Sequence, residues 1–151
     1  MAAPARLTAP APVRHPIALT LLRIAALDCR AAARLDVGHA CAALDPAADA
    51  ADLATLLARA LPVALRHRPQ LGAPGTRETS FDEDWLLALS AAIARGDRAS
   101  ERFLLARRCH AHRAPHLALL IRAYADRLDR AAACGSTKGP AGATRVRTGQ
   151  P

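Results

Sequence analysis

Between Ser80 and Asp97 the sequence marks both ends of one helix and the start of the next, which commits this stretch to a helical hairpin. Ser80 and Glu83 have the S-x-x-E spacing of a capping box. In that motif the serine hydroxyl accepts from the backbone N–H three residues on, and the glutamate reaches back to the serine N–H. Asp82, Glu83 and Asp84 put negative charge in the first turn, at the positive end of the helix dipole. Phe81, Trp85, Leu86, Leu89 and Ile93 recur at three- and four-residue steps and share one face. Gly96 suits the left-handed C-cap position, and Asp97 is an N-cap for a second helix. A two-residue connection makes the helices antiparallel neighbours. The second helix is expected at 98–111, with Phe103, Leu104 and Ala106 inward and Arg102, Arg107 and Arg108 in water. Pro115 suits the first turn of a third helix over 115–133, lined by Leu117, Leu120, Ile121, Tyr124 and Leu128 and stopped by Gly135.

The rest of the chain supports the same class. Hydrophobic residues make up 52% of it but aromatics only 3%, so the core must be built from Leu and Ala, which suits close-packed helices rather than a β-sandwich. A long helical run is expected over 17–43, with Ile17, Leu21, Ile24, Ala25 and Leu35 near one face and Gly38 dividing or fraying it. Asp45-Pro46 restarts the chain into a helix over 46–67, in which Pro62 imposes a kink or ends a straight segment near 58–61. Residues 68–79, with Pro69, Gly72, Pro74 and Gly75, form a long loop, read as a crossing connection in preference to a functional element. The proline-rich residues 1–16 and the basic residues 134–151 read as disordered tails. The expected fold is thus an all-α, compact bundle of about five helices. Its core should include Leu21, Ile24, Leu53, Leu57, Leu61, Trp85, Leu89, Ile93, Leu104, Leu120, Ile121 and Leu128.

Charge and cysteine content bound the function. The formal charge is +8, and because Lys138 is the single lysine, 20 of the 21 basic residues are arginine. Asparagine is absent, and with the abundant Ala, Pro and Gly this composition matches the coding bias of a GC-rich genome. Cys29, Cys41, Cys109 and Cys134 form no C-x-x-C pair, and no secretory signal opens the sequence; a reduced, cytoplasmic setting is expected. The arginine-rich, acid-poor start resembles a transit peptide, but four prolines oppose the amphipathic helix such a peptide needs. No apolar run reaches the roughly 18 residues of a membrane span.

Three candidate sites follow. Cys109, His110, His112 and His116 are the only cluster of metal-capable side chains, with His39 and Cys41 as further donors. Pro115 breaks the helix that would align them and neighbouring arginines oppose a cation, so no metal or other cofactor is expected. Arg102, Arg107, Arg108, Arg113, Arg122, Arg127 and Arg130, offset by Asp126 and Asp129, give segment 102–130 a charge of +5, the electrostatic footprint of a nucleic-acid binder. Stacking platforms and a recognition motif are missing. Asp82, Glu83 and Asp84 are explained by capping and the dipole before general acid–base chemistry is needed. No nucleophile elbow, phosphate loop or Ser/His/Asp order is present, so no enzyme is expected. The leading expectation is a non-catalytic interaction or regulatory module that meets another protein through a helix face. An arginine-rich nucleic-acid binder is the alternative, and a Cys/His metal protein comes third.

The runs Ala73-Pro74-Gly75, Ser80-Phe81-Asp82-Glu83-Asp84-Trp85-Leu86-Leu87, Gly96-Asp97 and Phe103-Leu104-Leu105-Ala106 resemble a segment of small, all-helical bacterial proteins of unassigned function. The similarity covers about residues 50–130. Such proteins often carry a cysteine near the position of Thr76, and its absence here argues against a loop-thiol role. The resemblance implies the helical fold and supplies no activity, substrate or catalytic residue.

Overall fold

The computed structural model describes residues 15–29 and 34–136. They form six helices: α1 (His15–Asp28), α2 (Val37–Ala42), α3 (Ala50–Ala64), α4 (Phe81–Arg95), α5 (Arg98–Arg108) and α6 (Ala114–Ser136). The only β-type pairing among the described residues is an antiparallel bridge between Leu65 and Cys109. The fold is all-α and compact. Helix α3 packs against α1, α2 and α6, and α6 also meets α2 and α4, so these two helices form the centre. Leu53, Leu57 and Leu61 of α3, Leu89 of α4 and Leu117 and Leu120 of α6 are fully enclosed there, with Ala54, Ala60 and Ala64 allowing close approach.

The α4–α5 hairpin forms as its caps dictate. Ser80 and Glu83 make both capping-box bonds, Gly96 sits at φ 68°, and Asp97 accepts from the Ser100 N–H. The expected helix over 17–43 is instead two helices. Asp36 interrupts it by capping α2, accepting from Gly38 N at 2.9 Å. Gly38 lies inside α2 rather than at the break, and a Cβ there would sit 3.0 Å from the capping carboxylate. Helix α3 starts later than expected because Asp45 folds a local turn, accepting from Ala47 N. Asp49 and Asp52 then form a reciprocal capping box. Pro62 does not end α3, which continues to Ala64. Helix α5 stops at Arg108 rather than 111 because Cys109 turns extended to meet Leu65, with Arg66 N donating to Arg108 O at 2.8 Å and His110 N to Ala64 O at 3.0 Å. Gly135 does not stop α6. Residues 15–16 and 134–136, expected in the tails, belong to α1 and α6; the remaining tail residues lie outside the described chain, as do 30–33.

The core differs from expectation in two ways. Ile24 is 44% exposed, and Leu21, Leu104 and Leu128 are only partly buried. Phe103, expected inward, is 62% exposed, and Phe81, placed on the apolar face of its helix, is 76% exposed. Helix α4 buries Trp85, Leu86, Leu89 and Ile93 as expected and adds Asp82 and Glu83 in its first turn, while α5 turns Glu101 and Leu105 inward; the three acids are each no more than 6% exposed.

Those acids are buried because they have partners. The Arg23 guanidinium donates to both Glu83 oxygens, through Nε at 2.6 Å and Nη2 at 2.9 Å. Its other N–H groups donate to the carbonyls of Ala73, Thr76 and Glu78 in the loop before α4. Glu83 also accepts from Gly72 N and Ser80 N. Gly72 packs flat on Arg23, so that a Cβ there would lie 3.0–3.2 Å from guanidinium atoms. Asp82 is held by Arg108 and accepts from Gln70 N at 2.6 Å. The long loop is therefore a strap fixed along its length, and the first turn of α4 is its anchor.

The Arg23 hydrogen bond, followed by the Ser80 and Gly72 N–H groups, holds the Glu83 carboxyl at about 2, against an ordinary 4.5. The unfolded chain binds this proton more tightly. Its stabilisation is complete above about pH 4.5 and is lost as pH falls from there toward about 2, on the order of 3 kcal/mol in all. Urea unfolding midpoints should fall steeply across that interval, and Glu83→Gln should flatten the dependence. A separate expectation concerns the core. Leu89→Ala should cost about 2–5 kcal/mol because its site is fully enclosed, and a near-wild-type melting midpoint would reject that placement.

Candidate interaction surface

Seven arginines between 102 and 130 form the charge cluster visible in the sequence, and the fold separates them into two groups. Three are hydrogen-bonded into the structure and a fourth, Arg122, is ion-paired to it at longer range. Arg108 binds Asp82 and lies over the rings of Phe81 and Trp85, at 5.0 and 5.7 Å. Arg113 donates to Val63 O at 2.6 Å, at the C-terminal end of α3, with Asp36 3.5 Å from its Nε. Arg122 lies 3.9 Å from the buried Glu101. Arg127 donates to Ala48 O and Pro46 O, fixing the turn before α3. A guanidinium bound to carbonyls or carboxylates of its own chain is a poor phosphate clamp, because those bonds must break first.

The other three, Arg102, Arg107 and Arg130, are exposed. Arg130 stands apart, late in α6. Arg102 and Arg107 lie on α5 with Phe103 between them, and the Arg107 guanidinium sits 5.7 Å over the Phe103 ring. Ala99, Arg102, Phe103, Ala106 and Arg107 are all exposed, at helical spacing that makes them one stripe. The opposite side of α5 carries Leu105 and Glu101, which face the bundle. Glu101 takes the position that apolar periodicity assigned to Phe103, because Arg98 and Arg122 neutralise it there. Extensive packing of α5 is confined to α4. The outer stripe is thus arginine at its rim, apolar at its middle and free of acid.

The Cys/His cluster does not converge. Cys109 is completely enclosed, and burial pushes its thiol up to about 11 despite the nearby Arg108 and Arg66. The His110 and His112 rings lie 5.9 Å apart on the turn between α5 and α6. His116 is exposed in the first turn of α6, and only its carbonyl meets Cys41, whose Sγ donates to it at 3.2 Å. His39 is exposed on α2. Among the described residues no three His, Cys, Asp or Glu side chains are grouped to hold a metal. Among the described residues, no helix is long and apolar enough to cross a membrane.

Arg23, Glu83, Asp82 and Glu101 are the working polar residues that sequence periodicity missed. A usable signal existed for Arg23, which is the only charge in the apolar run from Ile17 to Leu27. Comparison with protein-family models, with curated proteins and with solved structures gives no match.

None of the four cysteines is in a disulfide. Alkylation with iodoacetamide at pH 8 should modify exposed Cys134 first and Cys109 last, with Cys109 reacting fully only on denaturation. Rapid native modification of Cys109, read by peptide mass, would contradict the enclosed placement.

Proposed function

We propose that this chain is a non-catalytic interaction module that docks an acidic protein partner on the outer stripe of α5. The observation that carries the reading is Phe103, exposed at 62% beneath Arg107 in a protein whose core is built almost wholly from Leu and Ala. Phe and Arg are both favoured at binding surfaces, and Ala99 and Ala106 on either side leave room for a partner backbone to approach. With Glu101 turned inward, nothing negative on the stripe repels an acidic segment. The partner is therefore a helix or extended segment with carboxylates flanking an apolar centre. The module acts in the cytoplasm, where free thiols persist, and its likeness to small helical bacterial proteins belongs to the same reading. Nucleic acid is the weaker reading, since four of the seven arginines proposed for it are bound within the fold.

The test compares wild-type protein with a Phe103→Ser/Arg107→Ser variant in affinity capture from nuclease-treated native extract. The reading expects one or a few acidic proteins that bind the wild type and are lost, by about tenfold or more, with the variant. Equal recovery on both would overturn it. Capture seen only when the nuclease is omitted, with salt-sensitive binding to short DNA, would transfer the function to nucleic acid.

A further inference from the structure

A second surface, remote from α5 in the chain, carries a separate binding assignment. The C-terminal half of α1, the middle of α3 and the start of the strap enclose an open cleft of about 540 Å³, within the usual size of small-molecule sites. Arg34, Arg59 and Arg68 line it together with Arg23, and among the described residues no carboxylate does. Glu83 neutralises Arg23, but Arg34 and Arg68 have no acidic partner among the described residues. Leu27, Ala58, Pro62 and Leu71 give the lining an apolar part. Two such guanidinium groups, Arg34 and Arg68, beside an apolar lining suit an oxyanion, which each can grip with paired N–H donors.

The cleft does not end at its arginines. Leu27 stands at its rim, 41% exposed, and continues into Ile24 at 44% and Ile17 at 63%. At 100° per residue these three fall within about 80° of arc on α1, interrupted only by Thr20, and extend roughly 15 Å along the helix. The principal packing of α1 is against α3, on its other side. An arginine-lined cavity thus opens directly onto an apolar track of the same helix.

We infer that this cleft and track bind a free single-chain anionic amphiphile, a long-chain alkyl phosphate or an ester of that type. The head enters the cleft against Arg34 and Arg68, and the chain lies along Leu27, Ile24 and Ile17. The head would lie among α1, α3 and the strap, which suits a dissolved molecule rather than a lipid still seated in a bilayer. Because Gly72 and Ala73 belong both to the cleft wall and to the Arg23 network, occupancy would also press on the strap.

The test is calorimetric titration of the full chain with dodecyl phosphate below its micelle concentration. Three variants are compared: Arg34→Ser/Arg68→Ser, Ile24→Ser/Leu27→Ser, and Phe103→Ser/Arg107→Ser as a control on α5. One-to-one binding is expected, weakened about tenfold or more by each of the first two pairs and unchanged by the third. Inorganic phosphate should bind at least about tenfold more weakly than dodecyl phosphate, having no chain to bury. The substituted side chains are exposed, so the melting midpoints without ligand should stay close to wild type. Full affinity in both cleft variants, equal binding of dodecyltrimethylammonium, or binding only to vesicles of anionic lipid would each overturn the assignment. A loss confined to the α5 variant would move the ligand to the other surface and also overturn it.

Discussion

The path of the strap from Gly72 to Ser80 depends on one buried ion pair, Arg23 with Glu83, which are 5% and 0% exposed. A guanidinium has five N–H donors and a carboxylate about four acceptor positions. Arg23 uses its donors on Glu83, Ala73, Thr76 and Glu78, and Glu83 takes Arg23, Gly72 and Ser80 in return. Such saturation is what makes burial of two charges tolerable, since an unmet valence in the interior is costly. Its consequence is conformational. A strap with little apolar content of its own gains a fixed path because α1 offers it a fork of donors and α4 offers an acceptor. Asp82 and Arg108 repeat the device at the other side of the first turn of α4, extending it to α5.

Capping residues make much of this fold legible in the sequence. Ser80, Glu83, Gly96 and Asp97 act through local backbone bonds, so spacing alone identifies them, and α4 has the expected bounds. Errors gathered where a polar residue overrode apolar periodicity. Asp36 caps a helix that hydrophobicity ran straight through. Glu101 displaced Phe103 from the inward face because arginines from α5 and α6 meet it there. Glu83 is the most instructive case. Its capping role was readable and sufficient, which hid the long-range role: the same carboxylate faces an arginine sixty positions earlier, and nothing in local spacing encodes that pairing. The lone charge of Arg23 in an apolar helix was the available clue. The candidate arginines could be named from sequence, but not sorted, since whether a guanidinium holds a carbonyl or stands in water is decided by tertiary contact.

The sorting matters for function. Composition makes this a basic protein, yet Arg108, Arg113, Arg122 and Arg127 are consumed in closing the bundle, a use that a lysine's point charge serves less well. What remains for recognition is local: the stripe around Phe103 and the cleft that opens beside Leu27. The two lie on different helices and ask for different chemistry, one an acidic protein segment and the other a small amphiphile. The strap borders the cleft and is anchored on α4, which leads into α5, so the buried ion pair lies on one physical route between them; the bridge from Leu65 to Cys109 is another.

The most direct measurement of the central claim is a double-mutant cycle on that pair, Arg23→Leu, Glu83→Leu and both together, by urea unfolding at pH 7 with amide exchange of the strap. Each single change should cost about 3–5 kcal/mol, because it strands a buried charge. The double variant should cost less than the sum by roughly 1–3 kcal/mol. The Gly72 and Ser80 amides, which donate to Glu83, should lose protection in all three. Additive losses with those two amides still protected would mean that the strap is held by something other than Arg23 and Glu83.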